Sequence, residues 1–147
     1  MKIDFDEFQL ALEGFDSEDG EQVGHFLDTE TGEILTLCRN WEDYEELCAR
    51  IDEGLGGRYR RIERLESHQS FRIMEDFAAS LPDSGLKSRL LDALSRKSPF
   101  RRFKDVVHSD LALRGQWFAF RDEAHARYVR EWLEAEGIDA EVQRRRM

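Results

Sequence analysis

The sequence predicts an α+β fold, and three observations carry that prediction. Two apolar runs in "VGHFLDTETGEILTLC" (residues 23–38) flank the turn-forming "DTETG", the pattern of a β-hairpin. From about residue 67 onward, apolar residues recur at helical spacing with few interruptions. Between these regions lies "GLGG" (54–57), the most flexible-looking link in the chain. The expected architecture is an amino-terminal helix and a small antiparallel sheet packed on a carboxy-terminal cluster of about four helices. It is read as one domain over 1–147, with an acidic sheet-containing half (1–66), a helical half (67–138) and a tail (139–147).

Each element has a local cause. Phe5, Phe8 and Leu12 recur at i, i+3 and i+7, so residues 3–13 read as a short amphipathic helix. Gly14 can end it in a left-handed conformation, with Phe15 folding back as an apolar clasp. The acidic "DSEDGE" (16–21) reads as a loop. In the hairpin, Gly32 can supply the positive φ where the second strand begins. Asn40 is placed to cap the next helix, with Glu42 and Asp43 in its first turn, where the dipole favours negative charge. Tyr44, Leu47, Cys48 and Ile51 form its apolar stripe. "RYRRIERL" (58–65) alternates enough for a short third strand. Phe71, Met74, Phe77, Ala78 and Leu81 mark a helix stopped by Pro82, and Ser84 caps another that turns Leu86, Leu90, Leu91 and Leu94 inward. Ser98 and Pro99 open a third helix, because proline is favoured at the first helical position. Asp110 opens a long fourth helix ended by Gly137. "IDAEVQ" (138–143) is read as a returning edge strand and "RRRM" as a frayed tail.

Composition bounds the function. No apolar run approaches the roughly 20 residues that span a bilayer, and "MKIDFDEFQ" lacks the basic and apolar regions of a secretion signal. Two cysteines, Cys38 and Cys48, suit a reducing cytoplasm better than a disulfide framework. The net charge is −10 but unevenly spread. Residues 1–56 carry 17 Asp/Glu against three Lys/Arg, and residues 57–147 carry 15 against 19. Such asymmetry means that the halves attract each other or face different partners.

The stretch "SPFRRFKDVV" (98–107) concentrates this question. At roughly 100° per residue, Phe100, Phe103, Val106 and Val107 fall within an arc of about 120°, the width of a core-facing stripe. Arg101, Asp105 and His108 point away, while Arg102 and Lys104 lie on the borders. Cations in a first turn oppose the helix dipole, and an anion would reverse that cost. Ser98, Arg101, Arg102 and Lys104 are therefore the candidate anion pocket, and internal pairing with the acidic half is the plainer account. Arg96, Lys97, Arg101, Arg102 and Lys104 form a basic cluster that raises nucleic acid as a partner, but 32 acidic residues in the chain argue against it.

On the last long helix, Leu113, Trp117, Phe120, Ala124, Tyr128 and Trp132 share one broad arc, wide enough to meet two neighbours. Arg121 and His125 fall inside it, four residues apart. A buried guanidinium needs a carboxylate, for which Glu75 is the first candidate and Asp105 the second. Arg121, His125 and Glu75 together would make an acid–base site. The plainer account is a structural ion pair with His125 half-exposed.

No metal or cofactor is expected. His25, His68, His108 and His125 share no ligand spacing with one another or with cysteine, and HExxH, CxxC and GxSxG patterns are absent. "GLGG" follows a helix and lacks the Gly-Lys-Ser/Thr ending of a phosphate loop.

The blocks "HFLDTETGEIL", "FRIMEDF", "LLDAL" followed by "PFRRFKDVV", and "WFAFRDE" with "REWLEAEGI" resemble the bacterial uncharacterised protein family 0158. They run in order from about residue 22 to 138. The resemblance implies a bacterial, cytoplasmic protein and supplies no activity. The expected function is a non-catalytic binding or adaptor protein recognising a protein partner or an anionic ligand. Arg101, Arg102 and Lys104 would make contact, with Ser98 beside them and Trp117 and Arg121 as a supporting shell. An enzyme built on Arg121, His125 and Glu75, and a nucleic-acid-associated regulator, are the alternatives.

Overall fold

Strand β1 (Lys2–Asp4) leads directly into helix α1 (Phe5–Glu13), where Asp4 Oδ1 accepts from the backbone N–H groups of Asp6 at 2.8 Å and Glu7 at 3.3 Å. That side chain satisfies donors which the first helical turn leaves open. The computed structural model describes residues 1–13, 24–38 and 41–144. The expected roles of Gly14, Phe15, the 16–21 loop, Asn40 and the last three residues lie outside these. As the spacing predicts, α1 buries Phe5, Phe8 and Leu12.

Next come β2 (Gly24–Asp28), β3 (Ile34–Leu37), α2 (Tyr44–Gly54) and β4 (Tyr59–Arg61). They are followed by α3 (Ser67–Ser80), α4 (Gly85–Leu94), α5 (Pro99–His108), α6 (Leu111–Ala135) and β5 (Glu141–Gln143). The fold is α+β with a carboxy-terminal helical cluster. It forms two units: Met1–Leu65 with the chain from Tyr128 on, and Glu66–Arg127. The carboxy-terminal part of the expected helical half thus belongs with the sheet-containing unit.

In the first unit, β2 is the centre of an antiparallel sheet ordered β3-β2-β4. The hairpin and the third strand stand where the alternation predicts. Gly32 takes φ +83°, and any side chain there would collide with the Lys2 carbonyl, so both the turn and the neighbouring backbone demand glycine. Phe26, Leu35, Ile51 and Tyr59 pack as a core cluster. Two features were not expected. Helix α2 starts at Tyr44, so Glu42 and Asp43 precede it rather than occupy its first turn, and of its stripe only Ile51 is fully buried. In addition, β1 and β5 pair in parallel as a separate two-stranded sheet, with Ile3 opposite Val142.

In the second unit, α3, α4, α5 and the first part of α6 surround Met74, Phe77, Leu90, Phe103, Val107 and Trp117. The aromatic rings interlock edge to face: Phe103 sits 4.9 Å from Trp117 and 6.3 Å from Phe77. Burying a side chain of this size contributes roughly 1.5–3 kcal/mol. Leu91, expected inward, is 45% exposed, because α4 buries Leu90, Ala93 and Leu94 instead.

Helix α6 contributes to both units. Its first part buries Leu113 and Trp117; further on, Ala126, Val129 and Leu133 are buried. At about 100° per residue these sets lie on nearly opposite sides of the helix, which accounts for its broad apolar arc. The helix closes through backbone hydrogen bonds: Ile138 N–H donates to the Leu133 carbonyl at 2.8 Å and Gly137 N–H to the Glu134 carbonyl at 3.1 Å, with Gly137 at φ +71°.

Candidate binding surface

Helices α4 and α5 carry the basic residues, and their geometry follows from local chemistry. Ser84 begins α4, its hydroxyl accepting from Lys87 N–H at 3.2 Å. Ser95 and Arg96 close it through backbone N–H groups donating to Asp92 and Ala93 carbonyls. Ser98 then takes a left-handed conformation (φ 54°), and Pro99 starts α5. Ser98 and Pro99 open the helix as expected, but the Ser98 side chain makes no capping hydrogen bond, because its left-handed backbone departs from the extended conformation typical of a capping residue.

Phe103 and Val107 are each 1% exposed, which fixes the rotation of α5. Phe100 and Val106 are half-buried, with Phe100 packed edge-on against Phe71 at 6.3 Å. Arg101, Arg102, Lys104, Asp105 and His108 consequently face solvent. Arg102 Nε donates to the Lys97 carbonyl at 2.8 Å. Trp117 lies behind the helix as a core residue, its ring against Phe103 and Phe77.

The plainer account, internal pairing with carboxylates, does not hold for this surface among the described residues. Arg89, Lys97, Arg101, Arg102 and Lys104 take no carboxylate partner; Arg96 takes Asp92, with Nε to Oδ2 at 2.9 Å. A shallow groove of about 250 Å³ runs between the two helices. Arg89, Asp92, Ala93 and Arg96 line one side, and Arg102, Asp105 and Val106 the other. Sequence reasoning singled out Arg102 here and counted Arg96 in the basic cluster, but missed Arg89. The signal for Arg89 was present: residues 89, 92 and 96 stand at i, i+3 and i+7, which brings them to one side of α4 and its carboxy-terminal end.

The Arg121 region is built differently. Arg121 pairs with its sequence neighbour Asp122 at 3.2 Å, and its guanidinium lies over the Phe118 ring at 4.9 Å. The carboxylates expected for it, Glu75 and Asp105, are both exposed and take no part in these contacts. A partner one residue away was close enough to make the distant ones unnecessary. His125, expected half-exposed, is 4% exposed. Burial, with the Arg121 charge adding to it, lowers its pKa to about 4. Its imidazole is therefore neutral at pH 7, and Arg121, His125 and Glu75 do not form one constellation.

A second arginine cluster, in the sheet-containing unit, was not anticipated. Asp28 is fully buried and receives both Nε (3.1 Å) and Nη2 (2.9 Å) of Arg58, plus the Glu30 N–H at 2.9 Å. Arg50 Nη2 lies 3.8 Å from the same carboxylate, and its Nε donates to the Tyr59 hydroxyl at 2.7 Å. The Arg58 hydrogen bond is the largest influence holding the Asp28 carboxyl below the usual range, against the opposing effect of burial. Its partner is 30 residues away, so no local pattern discloses it.

Among the described residues, no group of three His, Cys, Asp or Glu side chains is arranged to hold a metal ion. No helix there is long and apolar enough to cross a membrane.

A small antiparallel sheet, a helical cluster and an exposed basic surface define the class: an α+β protein with a carboxy-terminal helical cluster. The family model described as "Uncharacterised protein family (UPF0158)" matches residues 4–145, and the chain belongs to that family. The match extends beyond the blocks that carried the resemblance, at both ends. Among relatives, the UPF0158 protein PA5073 of Pseudomonas aeruginosa is 29% identical over 138 residues, covering 94% of this chain and 85% of the relative. No solved structure matches the chain.

Proposed function

We propose that this is a non-catalytic binding protein that recognises an anionic partner through the α4–α5 surface. One observation carries the reading: five cations on two adjoining helices and the link between them, Arg89, Lys97, Arg101, Arg102 and Lys104, have no carboxylate partner among the described residues, in a chain with 32 acidic side chains. Cations held beside one another repel, and fixing them there without partners costs free energy that an anion would return. The half-buried Phe100 and fully buried Phe103 hold the surface on a rigid base, so little ordering is needed on binding. A cytoplasmic location accords with this reading, since Cys38 and Cys48 are both free thiols.

The test is a pull-down from the native bacterium with wild-type chain and with Arg101→Glu/Arg102→Glu as baits. Partners recovered by the wild type and lost by the reversed variant support the reading. Identical recoveries refute it. A catalytic reading around Arg121 has less support, because Glu75, the carboxylate it needs, is exposed and takes no part in the Arg121 pair with Asp122.

A further inference from the structure

The α4–α5 groove differs from the rest of the basic surface in having its guanidinium groups oriented. Arg96 is held through Nε by Asp92, and Arg102 through Nε by the Lys97 carbonyl. In each case the side chain is fixed at its inner nitrogen, leaving the Nη1/Nη2 edge open, which is the edge that grips two oxygens of one anion at once. Arg89 adds a third guanidinium on the same face of α4, with no partner among the described residues. Ala93 and Val106 contribute little bulk between them.

Size and charge narrow the ligand. At about 250 Å³ the groove falls below the roughly 300–1,000 Å³ of sites that enclose a whole small molecule. It has room for a charged group, with the carrier left in solvent. Asp92 and Asp105 also line it, so a continuous polyanion would meet two carboxylates as well as three arginines. A compact dianion avoids this by seating between the guanidinium ends. Asp92 is already engaged as the brace of Arg96; Asp105 takes no partner among the described residues and opposes an anion.

Resting on the binding function proposed above, we infer that the α4–α5 groove is a recognition site for a phosphomonoester dianion, held by Arg89, Arg96 and Arg102. The group can reach it on a phosphorylated side chain or on a free phosphate ester.

The test is a titration of the intact chain with inorganic phosphate, glycerol phosphate and a phosphoserine peptide, read from the amide signals of Ala93 and Val106. The site predicts saturable shifts at both amides with all three. Arg102→Gln weakens binding tenfold or more, and Asp105→Asn tightens it several-fold by removing a repulsive charge. Both residues are exposed, so both variants fold. A phosphopeptide that binds tenfold tighter than glycerol phosphate identifies a protein source, and equal affinities identify a small ester; either result sustains the site. Absence of saturation at Ala93 and Val106 overturns the inference, as does weakening by Asp105→Asn, which would mark a partner of mixed charge. If the phosphate probes fail while Arg101→Glu/Arg102→Glu still abolishes partner capture, the binding function stands and only the phosphate assignment falls.

Discussion

Arginine is used in two opposite ways in this protein. Around Asp28 it is consumed: Arg58 grips a fully buried carboxylate with two hydrogen bonds, and Arg50 stands behind it against Tyr59. On α4 and α5 it is left open, with Arg89, Arg101 and Arg102 meeting no carboxylate among the described residues. The first arrangement spends its charge on holding β2 and β4 in register beside the hairpin turn. The second is held in place by aromatic packing beneath it, so its charge is not needed for folding. If the proposed function holds, stability and recognition fall to different arginines, and mutation should separate them cleanly.

The sharpest way to break this comparison is Asp28→Ala. Removing one partner of a buried pair leaves Arg58 without its carboxylate and the Glu30 N–H without its acceptor. Losses of about 3–5 kcal/mol are typical for fully buried pairs; Arg58 is partly solvated, so the lower end, about 3 kcal/mol, is expected. Urea unfolding measures it, and a loss under 1 kcal/mol would place Asp28 outside the framework.

Acid should act next, in two separate windows. His125 has a folded pKa of about 4 against an unfolded value near 6.5. Between these values the unfolded chain binds more protons, so stability is complete above about pH 6.5 and falls as the pH drops toward 4, by about 3 kcal/mol at most. Asp28 acts below that window: its contribution is present above the unfolded carboxyl pKa and lost as pH falls through the depressed folded value. His125→Gln should flatten the upper window and leave the lower one, and Asp28→Asn the reverse. Urea midpoints collected from pH 7 to pH 3 decide between these outcomes.

What the sequence disclosed and what it concealed follow the same division between local and distant causes. Gly32, the Phe103–Val107 phase and the Ser84 cap act within a few residues, so spacing alone placed the hairpin, the face of α5 and the start of α4. Arg101 and Lys104 were legible as surface for the same reason. Asp28 reads as the first residue of a turn, and nothing nearby announces a guanidinium 30 positions on. β5 stands where a returning edge strand was expected, but its partner was not legible: β1 is three residues with a single apolar side chain, and it exists only because distant segments pair. His125 was assigned to the right side of α6 and the wrong depth, because the helix changes its buried side near Ala126 and no periodic window spans that change.

Gly32→Ala is a smaller perturbation of the framework side. It forces a side chain onto a positive φ and against the Lys2 carbonyl, for a cost of about 1–3 kcal/mol. The resulting loss should be read in thermal unfolding, and Gly56→Ala makes the control: its φ is also positive, but nothing lies near its would-be side chain. A larger loss at 32 than at 56 isolates the collision from the backbone strain.

The smallest expected effect on stability is the one that tests the division most directly. Arg101→Ala and Lys104→Ala remove solvated cations that touch no carboxylate, and exposed substitutions of this kind change stability by about 0.5 kcal/mol or less. Their sign should be toward greater stability. Arg101 lies in the first turn of α5, where a cation opposes the helix dipole, and both charges repel their basic neighbours. A slightly higher urea midpoint together with weaker partner capture would show cations retained against the interest of folding. A lower midpoint would show that they brace α5 after all, and the basic face would then be framework like Asp28 and Arg58, with recognition to be sought elsewhere.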